Sequence, residues 1–288
     1  MTLTQRLRRE ANNMLKRWNW QVIPLELDFD YRLVSPKHVD RMLATLAAEA
    51  SEWLEQQTVI PGTERFDVRA EIDAFYDAYL GSPFRNPRGG SRFGNLLWLD
   101  LVARAARPSL IIDCGTFTGA SAWALAMGAP SAKIVSFDID LSRIRLRVPR
   151  VEYVERDWTT WDLSRYRGDG RIVAYFDDHL DQGRRLREAA ERGVDIAIFD
   201  DDLSVLSFPP YAHGGMALPK ISFILDESLA DGEVISWLAR GQQYHWIVDG
   251  TAMSRLRSLI GGHTLLPNIG ASVGIDQRAY RVIAIGRE

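Results

Sequence analysis

Residues 110–126 read LIIDCGTFTGASAWALA. A short apolar run leads into a turn holding Gly115 and Gly119, and an alanine-rich stretch follows. The first part predicts a buried strand and the last a helix. Strand, glycine turn and helix start, in that order, let the backbone approach a ligand closely and aim unpaired N–H groups at it. From Asp113 to Gly119 the motif is acid-x-G-x-x-x-G, not the G-x-G-x-x-G of dinucleotide sites. An acid at the strand end repels a pyrophosphate and suits a ligand carrying an ammonium group.

Downstream, strand and helix patterns alternate. AKIVSFD, VEYVE, RIVAYFD and VDIAIFD are apolar strands, with the helix LDQGRRLREAAERG between the last two. Such strands indicate a parallel sheet covered on both faces. The linker from Asp138 to Val151 is too short and proline-broken for a helix. After Asp202 come an irregular stretch, then helical material, then HTLLPNIG and AYRVIAIG as a final strand pair. Upstream, residues 1–80 read mostly as helix, GSPFRNPRGGSR as a loop and GNLLWLDLVARAA as a helix stopped by Pro108. The expected architecture is α/β, a doubly wound seven-stranded sheet at 91–288 behind a helical N-terminal extension at 1–90 that covers the site.

Composition narrows the function. A net charge of −3 argues against a globally basic nucleic-acid binder. The single cysteine, Cys114, excludes an intrachain disulfide and a cysteine zinc cluster, which fits a reducing, cytoplasmic setting. No apolar run approaches the roughly 18 residues that span a bilayer. The first residues read as a basic amphipathic helix, with Leu3, Leu7, Met14 and Leu15 among Arg6, Arg8, Arg9, Lys16 and Arg17. Such a helix packs on its own domain, on a second copy in a homo-oligomer, or on an anionic membrane surface.

Two acidic clusters end adjacent strands: Asp177, Asp178 and His179 after RIVAYF, and Asp200, Asp201 and Asp202 after VDIAIF. Parallel neighbours stand about 4.8 Å apart, so both clusters meet at the carboxyl edge, where open α/β sheets bind ligands. Gathered carboxylates repel unless a cation compensates, and oxygen ligands select Mg²⁺ or a similar ion. The alternative is helix capping, with Asp178 or Asp181 placed before the helix at Gln182.

The acid-x-G-x-x-x-G turn resembles the first motif of class I S-adenosylmethionine-dependent methyltransferases. That resemblance implies S-adenosylmethionine as cofactor. It also implies a donor site of Asp113, Gly115, Thr116, Gly119 and Ser121 with three later residues: Asp138 on the ribose hydroxyls, Asp157 near the adenine amino group, and Trp158 against the base. The acid clusters resemble those of the metal-dependent macrocin and rhamnosyl sugar O-methyltransferases, with Asp177, Asp200 and Asp201 as metal ligands. In that group the second acid after the strand is the catalytic base. Here His179 stands in its place, with Asp178 the other contender. The acceptor is then a small molecule or glycan hydroxyl, and SFPPYAHGG, with Tyr211 and His213, is the expected substrate loop. A metal-free small-molecule methyltransferase, a Mg²⁺-using phosphate-transfer enzyme and a non-catalytic interaction protein are the rival readings. The phosphate-transfer reading lacks a G-x-x-x-x-G-K-[ST] loop.

Overall fold

A computed structural model of the chain describes residues 3–18, 20–22, 35–60, 66–85, 90–166, 170–202, 217–239, 242–275, 277 and 279–286. Five parallel strands form the centre: β1 (Leu110–Cys114), β2 (Lys133–Asp138), β3 (Val151–Glu155), β4 (Ile172–Phe176) and β5 (Ile196–Phe199). Two later strands, β8 (Ile260–Leu265) and β9 (Arg281–Ile285), complete a seven-stranded sheet of order β3-β2-β1-β4-β5-β9-β8, with β9 antiparallel to both neighbours. The doubly wound seven-stranded α/β sheet expected from the sequence is therefore present. The final strand pair is there too, though β8 begins at Ile260, ahead of HTLLPNIG.

Successive strand residues face opposite sides, so each strand feeds two cores. On one side Ile111, Ile134, Val173 and Ile198 join residues of α2 (Pro36–Gln56), α3 (Val68–Gly81), α4 (Phe93–Ala106) and α5 (Ala120–Gly128). On the other, Ile112, Val135, Ala174 and Phe199 join α6 (Gln182–Glu191), α7 (Ile221–Leu225) and α8 (Gly250–Ser258). Helices α2 and α3 thus extend the α4–α5 layer on the face of the sheet. Twelve of the fourteen α4 residues are buried, because it lies between the sheet and these outer helices.

Between Asp138 and Val151 the chain makes only a short 3₁₀ turn, Leu141–Arg143, as the proline-broken linker required. The helical material expected after the irregular stretch contains α7 and α8, but also an antiparallel hairpin, β6 (Val234–Ala239) and β7 (Gln242–Ile247). The pairs Ile235–Trp246 and Trp237–Tyr244 share one face of it, and Trp246 meets Phe223 of α7 edge-on. Two β-rich runs around the short interval at 240–241 were the available signal.

Because β1 neighbours both β2 and β4, the order in which strands are added reverses between β1 and β4. The loop after β1 leads to α5 on one face, and the loop after β4 leads to α6 on the other. Their divergence opens a crevice at the carboxyl edge, the general ligand position in such sheets.

Past β5, Asp202 ties the edge together. Its fully buried carboxylate accepts from Arg281 Nε of β9 at 2.8 Å and from the Ser222 amide of α7 at 2.7 Å. Removing one partner of such a pair strands a charge, at a cost of about 3–5 kcal/mol. Arg281→Met should lose that much in urea denaturation, and adding Asp202→Asn should recover part of it. A loss below 1 kcal/mol would contradict the structural role of the pair.

Candidate functional site

The glycine turn closes on protein backbone. Gly115 has φ +103°, and a Cβ there would lie 2.4 Å from the Asp177 carbonyl oxygen. Gly119 has φ +88°, and its Cβ would lie 2.8 Å from the Leu146 carbonyl oxygen. Both positions therefore demand glycine for internal reasons, before any ligand is considered. Gly115 lets the end of β1 lie against the end of β4, where the Asp177 amide donates to the Cys114 carbonyl at 2.8 Å.

Asp113 departs from its expected place. It pairs in register with Ser136 of β2 on the α5 side of the sheet, is fully buried, and accepts from Ser136 Oγ at 2.5 Å. Thr116 Oγ1 lies 2.6 Å from Ser136 Oγ, and the hydroxyl of buried Ser121 also favours the Asp113 carboxylate. Asp113, Thr116 and Ser121 are thus a buried polar knot behind the turn, so Asp113 is no counter-charge facing a ligand. Burial pushes the Asp113 carboxyl up to about 6, against the lowering effect of the two serines. Cys114 is buried, and burial raises its thiol well above the ordinary range, which suits a packing residue.

Asp138 ends β2 at the crevice, half-buried. Its Oδ2 accepts from the Phe117 amide at 2.8 Å and its Oδ1 from the Asp140 amide at 3.1 Å. Phe117 has φ +43°, a left-handed conformation rare outside glycine, so this carboxylate fixes a strained turn. Beside it Ile139 is 84% exposed, an apolar side chain the sequence reading did not single out. Its signal was an isolated isoleucine among acids directly after a strand.

Trp158 is a correction. It is 1% exposed, packs against Phe176 with ring centroids 5.6 Å apart, and lies under Arg192. A buried ring in the α6-side core offers no surface to a base. Asp157 caps the 3₁₀ turn Trp158–Thr160 and accepts from Arg185 at 2.8 Å. Burial opposes its charge, but Arg185 and Thr159 hold its carboxyl below the usual range.

Arg185 of α6 is the residue the sequence reading missed. Its side chain is 3% exposed and contacts three carboxylates: Asp178 at 2.5 Å, Glu188 at 2.5 Å and Asp157 at 2.8 Å. Burial works against its charge, and these acids raise its affinity for the proton beyond the ordinary value. Asp178 is consequently an ion-pair partner and is not available as a base. Deeper burial raises its carboxyl, although the same guanidinium lowers that of Asp157. Capping of α6 falls to Asp181, which accepts from the Arg184 amide at 2.7 Å.

The candidate metal set differs from the expected one. His179 Nδ1 lies 3.9 Å from both Asp177 Oδ1 and Asp201 Oδ2, and the three groups present ligand atoms within 4.8 Å of one another. Asp200 turns elsewhere: its Oδ2 accepts from Tyr175 Oη at 3.1 Å and its Oδ1 from the Asp201 amide at 2.6 Å. Tyr175 is in turn linked to Tyr280 Oη at 2.9 Å. Asp200 therefore supports Asp201 from behind, and His179 takes its place in the cluster. His179 has φ +58° and Asp201 φ +52°, so two of the three groups sit on left-handed backbone. Lys220 lines the same small pocket and is 1% exposed; burial lowers its affinity for the proton, opposed by Asp201, Asp202, Asp200 and Asp177. The expected substrate loop, with Tyr211 and His213, lies outside the described residues.

No protein-family model matches the chain, and no curated protein matches it in sequence. Among solved structures it is similar to the O-methyltransferase from Bacillus cereus in complex with SAH, at 13% identity over 85% of this chain and 100% of that one (TM-score 0.41). It is also similar to an SAH-bound methyltransferase of Podospora anserina, at 14% identity over 93% and 100% (TM-score 0.39). A third is the Mg-SAM form of CmcI, at 15% identity over 69% and 79% (TM-score 0.34). Likeness at this level carries no argument about chemistry.

Two expectations test this geometry. The folded Asp113 carboxyl titrates near 6, above its ordinary 3.8, so folding favours its protonated form. Its contribution to stability is present below pH 3.8 and is lost as pH rises through about 6. Asp113→Asn should therefore gain stability relative to the native chain between pH 4 and pH 7 in urea denaturation; a difference independent of pH would contradict the buried carboxyl. Arg185→Met should cost about 3–5 kcal/mol by stranding buried acids, and a loss below 1 kcal/mol would deny Arg185 its role.

Proposed function

We propose that this chain is an S-adenosylmethionine-dependent O-methyltransferase that methylates a hydroxyl of a sugar or glycosylated metabolite. The observation that carries the reading is the convergence of three features on the crevice between β1 and β4. These are the glycine turn, Asp138 at the end of β2, and the Asp177–His179–Asp201 cluster. Asp138 would accept the two ribose hydroxyls, the same service an acid performs in dinucleotide sites. Exposed Ile139 takes over from Trp158 as the apolar surface for the base. The resemblance in acid spacing supports a sugar hydroxyl as the acceptor.

In the proposed reaction the acceptor oxygen bonds to the methyl carbon as the carbon–sulfur bond breaks, releasing S-adenosylhomocysteine and the hydroxyl proton. Holding both reactants in one crevice supplies much of the acceleration, because the sulfonium is already a strong donor. Asp177, His179 and Asp201 fit a divalent ion by the chemistry of their donor set, two carboxylates and one imidazole. The nitrogen shifts the preference from Mg²⁺, expected for an all-oxygen set, towards Mn²⁺ or a later ion. When bound, such an ion lowers the pKa of a hydroxyl coordinated to it. In this reading His179 is a ligand and not the base.

A second reading is favoured by Arg185, a buried cation already paired with the acids, and by the amine of Lys220 in the same pocket. In it no metal is needed, and His179, with a half-exposed side chain, is the general base.

Calorimetry with S-adenosylmethionine is the test. Asp138→Ala should bind roughly 10- to 150-fold more weakly, the loss expected for about 1.5–3 kcal/mol of hydrogen bonding to a charged acceptor. Unchanged affinity would remove the ribose role, and no binding by the native chain would end the proposal. Turnover should vanish in chelator and return more fully with Mn²⁺ than with Mg²⁺. Full turnover in chelator, together with a roughly 10²–10⁴-fold loss in His179→Ala, would establish the second reading instead.

A further inference from the structure

Helix α1 (Leu3–Leu15) continues as a 3₁₀ turn, Lys16–Trp18, and none of the described residues between 3 and 22 is buried. Most of the large apolar side chains here are open to solvent: Leu3 74%, Leu7 57%, Met14 65%, Trp18 67% and Trp20 71% exposed, with Leu15 half-buried. On a helical projection Leu3, Leu7, Ala11 and Met14 fall in one stripe roughly 80° wide. Arg6, Arg8, Arg9, Lys16 and Arg17 flank or oppose that stripe. The one acid among them, Glu10, lies 3.5 Å from Arg6. Five cations against one carboxylate is the reverse of the balance in the whole chain, which is −3.

This helix is poorly supported by its own sequence. Arg6, Arg8 and Arg9 lie in its first two turns, at the positive end of the helix dipole, and its first turn holds no acid. A helix this short needs a covered apolar face to be stable in water. Two demands therefore coincide: something apolar against the stripe and something negative beside it. A second copy of α1 would meet the first demand while setting five cations against five. A lipid surface with anionic headgroups meets both at once, with Trp18 and Trp20 suited to the headgroup level. No described helix is long and apolar enough to cross a membrane, so this one lies on the surface.

We propose that α1 and the turn after it dock this protein on an anionic lipid bilayer, with the leucine–methionine–tryptophan stripe entering the headgroup region and the arginines on lipid phosphates. The docking is independent of the reaction assigned to the crevice.

The test is flotation of the full chain with phosphatidylcholine vesicles, pure or carrying roughly one-third phosphatidylglycerol. The chain should float with the anionic vesicles alone, more weakly as salt rises, with a blue shift of tryptophan emission. Arg9→Gln with Arg17→Gln should weaken binding about fivefold for each cation removed, and Leu7→Gln with Met14→Gln should abolish it. All four side chains are exposed, so thermal melting of the body should be unchanged. Failure to float with anionic vesicles, or equal binding to pure phosphatidylcholine, would overturn the proposal. So would a dimer in sedimentation velocity that Leu7→Gln with Met14→Gln dissolves, because the stripe would then belong to a second copy.

Discussion

One buried guanidinium makes the acidic edge of this sheet possible. Arg185 reaches Asp157 behind β3, Asp178 behind β4 and Glu188 on its own helix, and it is almost wholly out of water. Burying a cation is costly, and burying carboxylates beside one another is costlier still. Grouping them around a planar fork of five donors satisfies most of those demands together. The arrangement fixes α6 against the strand ends and sets where the loop after β4 turns. His179, on left-handed backbone, follows Asp178 directly.

The remaining acids divide by what holds them. Asp181 caps α6, Asp202 grips Arg281 and the start of α7, and Asp200 leans on Tyr175 while accepting the Asp201 amide. Asp177 and Asp201 are the two that turn towards His179. Strain concentrates in the same place, since Phe117, His179 and Asp201 all adopt left-handed backbone around one crevice. Such strain persists only where the surroundings over-determine it. Here the surroundings are the Asp138 carboxylate under Phe117, the Arg185 network beside His179, and Asp200 under Asp201.

The sheet was legible because several of its parallel strands are unbroken apolar runs, and the strand ends placed Asp138, Asp177 and Asp201 at one edge. The same unbroken runs hide which face each residue takes, because alternation is lost when both faces are covered. Asp113 was misjudged for that reason, since it points into the α5 layer; Trp158 lies past the end of β3, in a 3₁₀ turn that tucks its ring into the α6 core. His179 stands in the cluster where Asp200 was expected, because adjacency at a strand end does not say which neighbour turns outward. Arg185 left no mark at all, since its partners lie 28 and 7 residues before it and 3 after it. The hairpin β6–β7 was obscured by its place between two short helices.

The central claim is that the crevice between β1 and β4 holds the methyl donor beside a metal-competent cluster. A crystal structure grown with S-adenosylhomocysteine and Mn²⁺ tests it most directly. The account predicts the ribose on Asp138, the base against Ile139, and an anomalous peak among Asp177, His179 and Asp201. A nucleoside bound away from the glycine turn, or manganese held by Asp200 in place of His179, would contradict it.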